Sequence, residues 1–287
     1  MGMTMFDRRL HAYRPDLAEA ELEGKVEASR FVEGAPARVA VPVIALRPEP
    51  ALARGIDTEL LLGEQVTVFD RADGWCWVKA ASDGYVGYVT ADALSQIDPV
   101  PTHIVTVART FLYPEPELRK PHLTTLSMGS RIHVAGEAEV RGNHYVVLED
   151  GTAIFARHVQ PIGACDGADY VEIAARFLET PYLWGGRSGL GIDCSGLVQL
   201  AMLMTGRQAP RDTDMQAAGL GEAIDRTEIR RGDLVFWKGH VAIFEDPQSI
   251  LHANGHSMTV ARENFDAAVE RIGSLYQQPT GYRRPFK

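Results

Sequence analysis

The feature that most limits how this chain can fold is a degenerate internal repeat. The stretch "LLLGEQVTVFDRADGWCWVKAASDGYVGYVTADAL", Leu60 to Leu94, can be laid against "TLSMGSRIHVAGEAEVRGNHYVVLEDGTAIFARHV", Thr125 to Val159. Each copy reads as a glycine-led strand, a turn, an aromatic strand, an Asp-Gly turn and a last strand. Short runs rich in Val, Tyr, Trp and Phe, broken by Gly and Asp turns, predict a small β-barrel. A period of about 60 residues asks for two of them in series. "IDPVPT", Ile97 to Thr102, is the join, because its prolines disfavour a continuing strand. The expected barrels therefore span residues 39–97 and 98–162. Residues 1–38 are polar and helix-prone from Leu17 to Val32; they read as an N-terminal extension that packs on the neighbouring barrel.

From about Gly163 the pattern changes, and residues 163–287 read as an α+β domain. "ADYVEIAARFLET", Ala168 to Thr180, carries a helical stripe at Val171, Ala174, Ala175 and Leu178 until Pro181 stops it. A glycine-rich loop, "YLWGGRSGLGID", leads to a second helix that opens at Cys194, runs through Leu197, Leu200, Ala201 and Met204, and ends at Gly206. "APRDTDMQAAG" is a turn and a short helix. "GDLVFW", "HVAIFE" and "SILHANG" come next as three antiparallel strands. Helices first and strands after is an α+β order.

Composition removes several classes of function. The chain is 45% hydrophobic and 23% charged, with 38 acids against 29 Lys and Arg and a net charge of −9. No basic block stands out, which argues against nucleic acid or an anionic membrane surface as a partner. No run approaches a membrane span, and the N-terminus lacks the apolar core of a secretory signal. Three cysteines are an odd number without a CxxC pair, which disfavours both a disulfide framework and a zinc site. The expectation is a cytoplasmic protein without metal or cofactor. The sequence does not set its oligomeric state.

Cys194 is then the residue of interest, in "GIDCSGLVQLAMLM". A thiol attacks as thiolate, and an ordinary cysteine has a pKa of about 8.5. A helix start supplies unpaired N–H groups and partial positive charge that favour the anion, and an imidazolium would favour it further. Those N–H groups could also stabilise the oxyanion of an acyl-transfer step. "KGHVAIF" puts His240 at the start of one strand and "LHANGH" puts His252 in the next, where the two can lie side by side. This suggests Cys194 as nucleophile, His240 as proton shuttle and His252 as the group holding its tautomer. Asn254, on the same strand face as His252, competes for the orienting role. A buried cysteine is more often a small hydrophobe, and Cys76 in a strand and Cys165 in a linker are read that way. The remaining histidines show no metal-ligand spacing.

These residues also carry a recognisable pattern. "PYLWGGRSGLGIDCSGLVQ", "RRGDLVFWKGHVAIF" and "ILHANG", in that order, resemble the NlpC/P60 cysteine peptidase family over roughly Tyr170 to Lys287. "APRDTDMQ" is similar to a further stretch of that family, with Ala209 where a leucine is usual. The repeat resembles two bacterial SH3 domains. The resemblance implies a papain-like fold and a cysteine endopeptidase that cuts the γ-D-Glu–diamino acid bond of murein peptides with a free N-terminal L-alanine. It implies Cys194, His240 and His252 as catalytic residues. Asp193 and Ser195 would stand beside the thiol, Tyr182 and Trp184 would line the pocket, the Tyr182 hydroxyl could join the oxyanion donors, and Glu64 and Tyr85 would read the amine. Two rivals are a papain-like amidase or acyltransferase on another substrate, and a cell-wall-binding module with an inactive enzyme fold.

Overall fold

The computed structural model describes residues 6–286. The chain forms two compact units: one runs to Val105 and includes Thr110–Gln160, the other takes Thr106–Arg109 and everything from Pro161. The stretches expected to form two barrels fall largely within the first of these units.

The later part of the repeat is matched within that unit, although the strand Gln65–Ala72 of the first copy is broken in the second into Arg131–Ile132 and Gly136–Val140. In the first copy, β1 (Ala35–Val39), β2 (Val43–Leu46), β3 (Thr58–Leu61), β4 (Gln65–Ala72), β5 (Trp75–Ala80) and β6 (Val86–Thr90) end in a 3-10 turn, Ala91–Ala93. The second copy closes in the same way, with β7 (Gly136–Val140), β8 (Asn143–Val147) and β9 (Ala153–Phe155) before a 3-10 turn at Ala156–His158. The sharpest shared signature is the hairpin turn. Asp73 and Gly74 have φ of 51° and 79°, and Arg141 and Gly142 have φ of 55° and 78°. Two positive φ values in a two-residue loop match the right-handed twist of the flanking strands, so glycine is favoured there. Strand order in the first copy is β6-β5-β4-β1 with a short outer strand, and β2-β3 forms a separate ladder. Hydrogen bonding among the described residues does not run round a closed barrel. The core of this copy is built from Val39, Leu46, Leu60, Val66, Val78 and Val89, with Cys76 and Tyr85 among them.

The N-terminal extension departs from expectation. No α-helix forms over Leu17 to Val32; Ala18–Glu19 pairs in parallel with Phe31–Val32, and Gly24 turns the chain at φ 74°. Local propensity is overridden by burial. Leu17 and Ala12 pack on Trp77 and Val86, and Arg14 lies over the Trp77 ring at 4.5 Å while pairing with Asp70 at 2.6 Å. β1 itself begins at Ala35, inside the stretch expected to be extension.

The second unit is α+β. Its helices are α1 (Tyr170–Ala175), α2 (Cys194–Leu203), α3 (Thr213–Gly219) and α4 (Phe265–Leu275). The first is shorter than its apolar stripe suggests: after Ala175 the chain continues in i→i−3 turns, Arg176 N to Ile173 O, Phe177 N to Ala174 O and Leu178 N to Ala175 O. Six antiparallel strands make one sheet: β10 (Glu222–Ile224), β11 (Leu234–Trp237), β12 (His240–Asp246), β13 (Ser249–Asn254), β14 (Thr259–Asn264) and β15 (Gly281–Arg284), in the order β10-β15-β11-β12-β13-β14. Ala242, Phe244 and Ile250 pack with Phe265, Ala268 and Ile272 of α4. Alternation turns Val241, Ile243, Leu251 and Ala253 away from α4, and α2 packs against the two strands that carry them. Its residues from Cys194 to Met202 are all buried. No helix among the described residues is long and apolar enough to cross a membrane.

If the N-terminal segment is integral to the first unit, Leu17→Ala should destabilise it by about 2–5 kcal/mol, as for other fully buried leucines. Urea unfolding measures this; a loss within about 0.5 kcal/mol, typical of surface positions, would contradict the packing.

Candidate active site

Cys194 opens α2, and the residue before it fastens that helix start. Asp193 is the N-cap: its Oδ1 accepts from Gly196 N at 2.7 Å, and its Oδ2 from Gly185 N at 2.9 Å. Arg211 donates to the same carboxylate twice, Nη1 to Oδ1 at 3.0 Å and Nη2 to Oδ2 at 2.7 Å. It also donates from Nη1 to Ser195 Oγ at 2.9 Å, while Ser195 Oγ donates to Asp193 Oδ1 at 3.3 Å. Gln216 Nε2 donates to Ser195 O at 3.0 Å, and Thr213 Oγ1 lies 3.8 Å from Cys194 Sγ. The "APRDTDMQ" stretch is therefore a clamp on the helix turn that carries Cys194. Gly196 completes it: a Cβ there would stand 2.4 Å from Gly186 O.

Cys194 is 5% exposed. Its sulfur lies 4.0 Å from Gly239 O and receives the Val241 N–H, so it sits against the backbone on either side of His240. Burial pushes its pKa up to about 11, and the Asp193 carboxylate adds to this; Val241 N–H, Thr213 and Arg211 offset part of it. His240 moves the opposite way. Burial pushes its imidazole down to about 3, with His252 and Arg271 acting in the same sense and Glu263 against. Desolvation by burial thus works against the helix start and favours the neutral forms of both the thiol and the imidazole.

Behind His240 lies a chain of polar groups. His240 Nε2 and His252 Nδ1 are 2.9 Å apart. His252, with its side chain fully buried, has Nε2 3.1 Å from Glu263 Oε2. Glu263 in turn accepts from Arg271 Nε at 2.9 Å and Nη2 at 2.6 Å. Asn254 is excluded as the orienting group, since its Oδ1 accepts from His256 N, Ser257 N and Ser257 Oγ in the next turn.

The other anticipated residues fall into two groups. Tyr182 is half-buried, and its hydroxyl pKa is raised by burial and then by Cys194 and Asp193, which sets it close to both. Trp184 is 72% exposed. Asp193 and Ser195 flank the thiol, but their polar atoms are engaged by Arg211 and the helix start, which makes them anchors of the turn. Glu64 and Tyr85 belong to the first unit. Glu64 is buried and its Oε2 accepts from Leu61 N at 2.9 Å, while Tyr85 packs in that unit's core. Cys76 is fully buried, and Cys165 is partly so; neither is disulfide-bonded. No group of three or more His, Cys, Asp or Glu among the described residues is placed to hold a metal ion. Sequence reasoning overlooked Arg211, Thr213 and Gln216 as site residues, although their motif is legible. It also overlooked Glu263 and Arg271, for which sequence offers no signal beyond an alternating strand and the helix after it.

A thiol at a helix start, packed on the backbone either side of a histidine that contacts a second histidine, suits a cysteine hydrolase working by acyl transfer. Comparison with known proteins agrees. Residues 179–272 match the NlpC/P60 family, and residues 46–94 match the bacterial dipeptidyl-peptidase Sh3 domain. The γ-D-glutamyl-L-lysine dipeptidyl-peptidase of Bacillus subtilis is 31% identical over 221 residues, 69% of this chain and 72% of that one. The protein of the same name from Bacillus cereus is 28% identical over 232 residues, covering 70% and 68%. The crystal structure of an NlpC/P60 family protein from Bacillus cereus shares the fold with a TM-score of 0.73 at 22% identity, covering 88% of this chain and 100% of that one. The chain belongs to the NlpC/P60 family of cysteine peptidases.

The neutral pair has a spectroscopic consequence. The ultraviolet absorbance of thiolate, taken as wild type minus Cys194→Ser, should be absent at neutral pH and grow in near pH 11. A full thiolate signal at neutral pH would overturn this description.

Proposed function

We propose that the enzyme hydrolyses the γ-D-Glu–diamino acid bond of murein peptides bearing a free N-terminal L-alanine. The observation that carries this is the buried Cys194 at the start of α2, packed on the backbone either side of His240, in a chain similar over most of its length to γ-D-glutamyl-L-lysine dipeptidyl-peptidases. Residues 98–162 are on this reading a second SH3-like domain, supported by the shared hairpin turn and the shared closing 3-10 turn. Peptides recovered from the wall would be cut in a reducing, cytoplasmic setting, where three thiols persist outside any disulfide.

The chemistry starts from the neutral pair. Cys194 Sγ attacks the γ-carbonyl carbon of D-glutamate as His240 takes the thiol proton, so attack and proton transfer go together. The oxyanion would be met by N–H groups at the start of α2 and by the Tyr182 hydroxyl. His240 then gives its proton to the leaving amine, and the C–N bond breaks to leave a thioester. Water, losing a proton to His240, attacks the thioester; carboxylate and thiol are restored. Trp184 offers an exposed aromatic face to the peptide. Glu64 and Tyr85, expected to read the amine, are buried in the first unit, and Asp193 acts only through its field, because Arg211 already neutralises it.

Cys194→Ala should abolish cleavage of L-Ala-γ-D-Glu-diaminopimelate peptides while circular dichroism stays native; retained activity would refute the assignment. Acetylating the substrate amine should lower kcat/KM by about 10- to 100-fold, matching the roughly 1–3 kcal/mol of a buried group left unsatisfied. Equal kcat/KM for free and blocked peptides in the wild type would remove amine reading from the proposal.

A further inference from the structure

Two imidazoles in contact pose a problem of proton placement. With one N–H on each ring, the His240–His252 contact can be made with either ring as donor. Only one choice leaves His240 able to act. If His252 donated from Nδ1, His240 Nε2 would be the acceptor and His240 Nδ1 would carry the proton. Both nitrogens of His240 would then be occupied, and no lone pair would remain for the thiol. The choice must be enforced by whatever touches the far side of His252.

We infer that Glu263, locked by Arg271, is a positioning residue that sets the tautomers of His252 and His240 and so leaves His240 Nδ1 as the basic nitrogen. The inference rests on the proposed role of His240 as base. Glu263 Oε2 is 3.1 Å from His252 Nε2. The contact lies off the line of a hydrogen bond, but a carboxylate this close favours a proton over a lone pair on Nε2. With the His252 proton there, Nδ1 is an acceptor and His240 Nε2 donates to it. One negative charge at the end of the chain biases the order along it.

Arg271 keeps that end negative. Burial alone would raise the Glu263 carboxyl, but His252 and Arg271 hold it down to about 2, so it stays ionised throughout the working range. The guanidinium donates to both carboxylate oxygens, which fixes the plane of Glu263 as well as its charge. The fold supplies the alignment. His252 faces Ala261 across β13 and β14, and Glu263 lies two residues further on the same face of β14. Arg271 comes from α4, which packs on that face of the sheet. The rings of His240 and His252 are 5.1 Å apart and tilted by 56°, an in-line contact between nitrogens and not a stack.

The test is Glu263→Gln, with Glu263→Asp and Arg271→Lys as milder variants should the first fail to fold. Glutamine can accept from or donate to His252 Nε2, so it removes the bias without removing the contact. Long-range nitrogen–proton NMR correlations should show both histidines as Nε2–H tautomers in the wild type and mixed tautomers in Glu263→Gln. With the peptide substrate, kcat should fall about 10- to 100-fold, a part of what a positioned base supplies, while KM stays within about twofold. Glu263→Asp should recover part of the loss, because the charge is restored. A Glu263→Gln enzyme with wild-type kcat and unmixed tautomers would overturn the inference, even if its melting temperature dropped. Should Cys194→Ala prove inactive in that case, the nucleophile assignment stands and only the relay falls.

Discussion

The ion pair between Asp193 and Arg211 is the interaction on which the catalytic unit turns. Both groups are buried, and the pair is bidentate. Taking two charges out of water is expensive, and a buried pair of this kind is weak evidence for stability in itself. Its value here is geometric. One carboxylate holds the Gly185 loop and the Gly196 N–H, and one guanidinium holds Ser195 and the stretch leading into α3. Three separate segments are thereby fixed around the backbone that presents Cys194. An apolar replacement could fill the volume but could not tie down those N–H groups.

Burial sets the chemistry of the thiol as much as proximity does. Cys76 is also pushed up by burial, in a strand of the first unit where no imidazole stands. A raised thiol is therefore no mark of reactivity here. What separates Cys194 is its company: the Val241 N–H, the Thr213 hydroxyl and the turn that begins the strand of His240. Low dielectric disfavours charge separation in the resting enzyme and strengthens every fixed dipole once charge develops. A neutral resting pair also leaves the sulfur less open to adventitious oxidation than a standing thiolate would be.

The two copies of the repeat show how a degenerate sequence holds one local geometry. Their aromatic strands differ, "WCWVKA" against "HYVVLE", but the two-residue turn before each does not vary in backbone shape. Asp73-Gly74 and Arg141-Gly142 reach it with different first residues. The left-handed requirement falls hardest on the second position, and both copies place glycine there. Side chains can drift so long as they alternate inward, whereas the turn cannot.

Several features were legible from order alone. The start of α2 at Cys194, the antiparallel strands bearing His240 and His252, and the turn and short helix after Ala209 all come from periodicity and from glycine and proline placement, because these are short-range steric effects. The N-terminal segment was not legible. Its helix-prone run yields to the Trp77 face that Leu17 covers, a contact between residues far apart in the chain. Nor could order choose between His252 and Asn254, which share a strand face; the choice came from the turn after β13 that uses up the Asn254 oxygen. Glu263 and Arg271 came together only when α4 folded back onto its own sheet. Protonation states were the most distant from sequence of all. Whether Cys194 rests as thiol or thiolate depends on how completely water is excluded, and exclusion of water belongs to the packed structure, never to a motif.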